Sequence, residues 1–344
     1  MEKTLGYERD INVVSVFAED YQKINEKIDV FAAFRYDNHP FWGSNISPRL
    51  GAIISPTEKI RFRLSYQKGF RGAVGLHYGG GYKQDGFLQA DNYSQVAAAQ
   101  ITTYNSAGAP NGIEPNISKV KPEIMNSIEL AAYYKFNDRL SFEAVGFYNT
   151  IQNVIDVGVI YRDRSQMNVP NIGSDVPGDW NGYWYFKNTD GSIKQYGTEA
   201  ALRYGGDKIN ISLSHSLVKL ASSSEQQRGS MYLSKGNNFK AYPENVTRLN
   251  VIVTPIDRFS LGINYMYYYS WYSPSDQKVD GNHLLNLTGM VDVNKNIQAS
   301  FTVRNVLAQS KLYPMNSNVG GPDLSDGTPS VESPSFIFRV GYKF

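Results

Sequence analysis

The side chains able to do chemistry are few and scattered. Four histidines, His39, His77, His215 and His283, lie far apart, with no helical His-x-x-x-His pair or other metal-ligand spacing. The chain has no cysteine, which removes disulfides, thiolate zinc sites and a cysteine nucleophile. Asp and Glu are dispersed, so no carboxylate pair suited to glycoside or phosphate chemistry stands out. Gly79-Gly80-Gly81 has no lysine after it and no strand-to-helix setting, so it reads as a flexible connection and not a phosphate cradle. The turns Asp175–Asp179 and Asp323–Asp326 lack calcium-loop spacing. No catalytic residue, metal ligand or cofactor is expected.

Two groups remain. Arg49, Arg61, Arg63, Arg248, Arg304 and Arg339 occupy alternate positions of strand-like segments, opposite apolar residues. Guanidiniums so placed pair with carboxylates on their own face, or offer a positive surface to an anionic ligand. Tyr78, Tyr82, Trp180, Trp184, Tyr185, Trp271 and Tyr272 fall in or beside the connections. Their rings can stack on a ligand's rings or sugars. The other reading, weightiest for Trp271 and Tyr272, is an aromatic belt at a membrane interface.

The elements that would hold these residues follow from periodicity. The 344 residues carry 34 basic and 32 acidic side chains, and 13% are aromatic, including 25 tyrosines. Near-neutral charge without a basic stripe excludes an ordinary nucleic-acid binder. No apolar run is long enough for a transmembrane helix, and the first thirty residues lack the apolar core of a secretory signal.

Apolar residues instead recur with a period of two. Ile28, Val30, Ala32, Phe34 and Tyr36 alternate with Asp29, Phe31, Ala33 and Arg35. Ile60, Phe62, Leu64 and Tyr66 alternate with Arg61, Arg63, Ser65 and Gln67, and Ile128, Leu130, Ala132 and Tyr134 with Ser127, Glu129, Ala131 and Tyr133. The pattern returns in 50–54, 209–217, 259–269, 297–303 and 336–344, and less cleanly near 12–20, 140–154, 193–204, 245–254 and 283–293. That predicts about thirteen strands of roughly ten residues, the length a tilted strand needs to cross a bilayer.

Connection lengths alternate too. Short turns at 56–59, 137–139, 205–207, 255–258 and 294–295 interleave with long Gly/Asn/Ser/Pro-rich stretches near 37–46, 70–123, 155–192, 221–244, 271–282 and 307–334. A soluble β-sandwich or β-helix explains neither that alternation nor the unbroken apolar faces. An all-β, antiparallel up-and-down transmembrane β-barrel explains both, with short turns inside and long loops outside.

Several short motifs then carry a resemblance. Ser47–Gly51 (SPRLG) precedes Arg61–Gly72 (RFRLSYQKGFRG), and Lys121-Pro122-Glu123 (KPE) stands before the strand at 127–136. Phe147-Tyr148-Asn149, Gly197-Thr198-Glu199, Arg304-Asn305-Val306-Leu307 and the terminal RVGYKF follow in order. On these the chain resembles the TonB-dependent outer-membrane receptors over essentially its whole length. It departs from their pattern at Ala73, where relatives place proline, and in the residues before Lys121.

The resemblance implies a barrel of twenty-two strands closed by an N-terminal plug. The inner-membrane TonB complex pulls on a short box in that plug. Residues 1–344 would then be the C-terminal portion of the barrel, its last thirteen strands, with the plug missing from this chain. An odd strand count agrees, because single-chain bacterial barrels close with even numbers. The implied function is plug-gated, energy-coupled import of a scarce large nutrient across the outer membrane, without enzymatic activity. A ferric siderophore is the leading ligand, with cobalamin or an oligosaccharide behind it. The implied partners are outer-membrane lipid, the plug, the TonB complex acting through it, and the ligand, but no nucleic acid. The six arginines would line the lumen, gripping the plug or receiving an anionic ligand. The rivals are a passive porin-like channel and a soluble β protein that uses its aromatic loops on carbohydrate.

Overall fold

An extended chain points successive side chains to opposite sides, so a period of two gives each strand one apolar and one polar face. The computed structural model describes residues 12–39, 43–72, 120–161, 182–240, 243–272, 276, 278–309 and 333–342, with side chains left out at 157–161 and 182–186. The strands are β1 (Val14–Asn25), β2 (Ile28–His39), β3 (Gly43–Thr57), β4 (Ile60–Arg71), β5 (Glu123–Lys135), β6 (Leu140–Tyr161), β7 (Gly182–Gly205) and β8 (Ile209–Ser223). They continue as β9 (Asn245–Ile256), β10 (Phe259–Tyr268), the small ribbon β11 (Trp271–Tyr272) with β12 (Lys278–Val279), then β13 (Asn282–Asp292), β14 (Ile297–Arg304) and β15 (Ser335–Tyr342). Apart from the ribbon they form one 13-stranded antiparallel sheet in chain order. Every expected strand is present. The sheet is not closed; β1 and β15 are its edges.

Two expected long connections are shorter than periodicity implied. β2 and β3 stay paired up to His39↔Gly43, so only 40–42 separate them. β6 and β7 stay paired through Tyr161↔Gly182, which takes 155–161 and 182–192 into the ladder. A ladder is held by backbone hydrogen bonds and continues where the side chains are no longer apolar. The Asn188 side chain helps here. It donates to the carbonyls of Lys121 (2.9 Å) and Asn153 (2.8 Å) beside a bulge where Asn153 has φ 54°. With 22 residues, β6 is about twice the length needed to cross a bilayer.

Burial is inverted relative to a water-soluble protein. On the apolar face Leu64 is 53% exposed, Leu130 55% and Phe338 68%. Toward the long-connection end this face carries Tyr36, Tyr66, Tyr148, Tyr196, Tyr267 and Tyr269. Two histidines join them. The His215 ring lies 2.9 Å from the Thr247 hydroxyl and edge-on to Tyr269, while His283 meets the Tyr265 hydroxyl at 2.7 Å and stacks 4.5 Å from Tyr267. An apolar body with a polar tip suits the boundary between hydrocarbon and water.

A buried apolar cluster exists elsewhere. Ile151, Val154, Ile193 and Leu233, packed with Leu220, Met231, Tyr232 and Phe239, form it at the long-connection end.

Candidate functional site

The polar face is a wall of mixed charge. Register puts Arg49, Arg61, Arg63, Arg248, Arg304 and Arg339 all on this face, spread across the sheet and not gathered in one cluster. Arg63 approaches Glu129 at 3.6 Å, and Arg203 meets Glu143 at 2.8 Å. Among the described residues Arg248 reaches only the Ser216 hydroxyl, at 3.5 Å, and Arg49 sits over the Phe31 ring at 5.1 Å. Among the described residues no carboxylate lies within ion-pair distance of Arg49, Arg61, Arg248 or Arg339. Glu143, Glu199, Arg203, Ser214, Ser216 and Arg248 line an open cavity of about 350 Å³ between β6 and β9.

Two motifs acquire a shared physical reason on this wall. Phe147 on β6 is paired directly across from Gly197 on β7, and Phe31 on β2 from Gly51 on β3. In each pair the ring lies where a Cβ on the glycine would be, and the neighbouring backbone oxygen (Leu217 or Leu64) closes the remaining space. Glycine is required because nothing larger fits beneath the ring. At the end of β14, Asn305 takes φ 48° and is fully buried. Its N–H donates to the Asn286 side chain (2.9 Å), while the Val306 N–H donates to the Leu285 carbonyl (2.8 Å). The Arg304–Leu307 motif thereby ends the strand in a defined turn.

A buried polar network sits at the long-connection end. Arg71 and Glu123, from the GFRG and KPE motifs, are cross-strand partners on β4 and β5. Buried Glu123 accepts from the Arg71 guanidinium (3.0 Å), the Tyr232 hydroxyl (2.6 Å) and the Ile155 N–H (3.3 Å). Arg71 also lies 5.7 Å from the Tyr232 ring centre. Burial, then the hydrogen bond to the Glu123 carboxylate, pushes the Tyr232 hydroxyl well above the usual phenol range. Asp276, in the connection between β11 and β12, accepts from the Ser234 hydroxyl, from the Gly236 N–H (2.7 Å) and from the Asn238 amide (3.1 Å). Burial alone would raise this carboxyl. The hydrogen bonds and the Lys240 charge outweigh it, and the net shift is downward.

The aromatic candidates separate. Tyr78, Tyr82 and Trp180 lie outside the described residues. Trp184 and Tyr185 belong to β7, paired with Val159 and Gly158. Trp271 is 2% exposed, packed under the surface and not presented to solvent, whereas Tyr272 beside it is 38% exposed. Sequence reasoning passed over Tyr232 and Asp276, and took Glu123 only as part of a motif. The available signal was opposite charge at the facing ends of two strands, Arg71 and Glu123.

The sequence matches the family described as TonB dependent receptor-like, beta-barrel, over residues 4–306. No curated protein matches it. Among solved structures, the siderophore receptor PirA from Acinetobacter baumannii is similar at 16% identity and TM-score 0.66, covering 96% of this chain and 46% of that one. A point variant of the ferric enterobactin receptor PfeA from Pseudomonas aeruginosa gives 15% identity and TM-score 0.62, covering 95% and 44%. The siderophore receptor PiuA from A. baumannii gives 17% and 0.62, covering 97% and 43%. These likenesses establish the fold. The chain spans less than half the length of each.

Proposed function

The chain belongs to the TonB-dependent receptor β-barrel family, and from that premise we propose that it is the wall and mouth of an outer-membrane importer. Its apolar face meets lipid, its polar face lines the lumen, and its long connections stand outside the cell. The observation that carries this reading is the two-faced sheet, with exposed Leu and Phe on one side and Arg, Glu, Asn and Ser on the other. Charge facing a lumen costs little, whereas a lipid-facing Arg or Lys costs about 2–4 kcal/mol at mid-depth.

The ligand is a large scarce solute, and a ferric siderophore leads because the similar solved structures are named as siderophore receptors. Release into the cell depends on a plug inside the barrel and on TonB acting through it. Arg49, Arg61, Arg248 and Arg339 supply positive charge to the lumen, and the cavity of Glu143, Glu199, Arg203 and Arg248 offers mixed charge to a plug surface. Tyr272 is the described aromatic best placed to meet the ligand, with Tyr78, Tyr82, Trp180, Trp184 and Tyr185 as further contacts.

Uptake of radiolabelled ferric siderophores by iron-starved cells, with and without the gene and with and without TonB, tests this reading. Loss of uptake on deleting either one is expected. Uptake that persists without TonB points to a passive channel. Loss confined to cobalamin or an oligosaccharide reassigns the ligand.

A further inference from the structure

The connection between β8 and β9 does not rise away from the sheet; it turns back across the polar face. Gln227 donates to the carbonyls of Thr189 (3.0 Å) and Asp190 (2.9 Å) on β7. Leu233 packs against Ile151 on β6 and Ile193 on β7, Tyr232 reaches Glu123 on β5, and the Met231 sulfur lies 3.7 Å from the Arg71 guanidinium on β4. The segment therefore crosses from β8 to β4, four strand spacings or about 19 Å. On its opposite side, Asp276 ties Ser234, Gly236 and Asn238 to the connection between β11 and β12.

We propose that residues 224–240 form a fixed strap that narrows the channel mouth from inside, and that Glu123 is the positioning residue that holds it. This rests on the reading of the polar face as the channel lining. Three features make the strap fixed. Leu233 and Gln227 are fully buried. The Glu123 carboxylate is buried and satisfied by three donors from three parts of the chain, so losing it strands Arg71, Tyr232 and the Ile155 N–H together. The Asp276 latch holds the far side. A solute bound for the lumen must pass the part of the mouth that the strap leaves open, so the Glu123 clamp sets the size that reaches the wall.

The chain has no cysteine, so single thiols report the strap directly. Ser230 is 2% exposed and its hydroxyl has no hydrogen-bond partner among the described residues, so Ser230→Cys disturbs little; Gln226→Cys is the exposed control. On intact cells carrying the protein, an impermeant maleimide should label S230C at least about tenfold more slowly than Q226C, the ratio reporting local opening. Glu123→Ala should remove most of that protection. Tyr232→Phe, which keeps the ring and loses only the hydroxyl, should give an intermediate rate.

A thiol at Gln67, on β4 below Arg71, tests the size filter. Its labelling by a bulky polyethylene-glycol maleimide relative to a small one should rise about tenfold with E123A, since access then depends on strap opening. Equal labelling of S230C and Q226C, or unchanged protection or size ratio in both E123A and Y232F, overturns the strap. Siderophore uptake measured in the same cells keeps the two readings apart. Lost TonB dependence with the labelling pattern intact removes the importer and leaves the strap.

Discussion

Leu130 and Leu233 are the same residue type in opposite settings. In the sheet Leu130 stands more than half exposed on the apolar face, while in the strap layer Leu233 is completely buried against Ile151 and Ile193. Each arrangement is stable because the medium differs. In the proposed importer the phase beside the apolar face is hydrocarbon, and an outward leucine is already in an apolar environment. Above it is water, so apolar groups must cover one another and buried polar groups must find partners. One chain thus obeys two burial rules, and the change falls where the tyrosines and histidines of the apolar face sit.

Four perturbations probe that boundary, in decreasing order of expected effect. Leu233→Ala should cost about 2–5 kcal/mol by opening a cavity in the strap layer. Hydrogen exchange should then accelerate over 224–240 and leave β5 and β9 amides unchanged. Simultaneous acceleration in the sheet would show that the two regions are not separate. Leu64→Arg places a charge in the lipid and should cost about 2–4 kcal/mol in a folding titration into vesicles, far more than Gln67→Arg three residues away on the polar face. Equal costs would contradict the two-faced reading.

Gly197→Ala pushes a methyl group into the Phe147 ring and the Leu217 carbonyl oxygen, at about 1–3 kcal/mol for overpacking. The double variant with Phe147→Ala should recover only part of that, because the carbonyl remains. The smallest effect is on pH. The Asp276 carboxyl is held below its ordinary value of 3.8, so its contribution is complete above that value and lost as pH falls through the lower folded one. Protection factors at 234–238, taken against the intrinsic exchange rate at each pH, should fall on acidification below about 3.8, and Asp276→Asn should abolish that dependence. A response that survives the substitution assigns it to another group.

The strands were legible because a sheet with one apolar and one polar face imposes alternation, strict in Ile60–Gln67 and Ser127–Tyr134 and looser in the strands near 12–20 and 193–204. The arginines were legible as to face, since parity decides it. Their partners were not, since Arg63 meets Glu129 only through the register of β4 and β5. Strand ends at Tyr161 and Gly182 escaped notice because backbone pairing continues without apolar side chains. The clamp was the hardest to see. Tyr232 lies 109 residues from Glu123, and no local pattern announces a tyrosine that folds back from the end of β8 to β5.

The central claim is that one face of this sheet meets lipid and the other meets water. Spin labels placed singly along β5 test it most directly, in a chain with no native cysteine to remove. Labels at Ile128, Leu130 and Ala132 should be accessible to oxygen dissolved in the bilayer, and labels at Glu129, Ala131 and Tyr133 to a water-soluble nickel chelate. An alternation of the opposite phase, or uniform accessibility along the strand, would contradict the account.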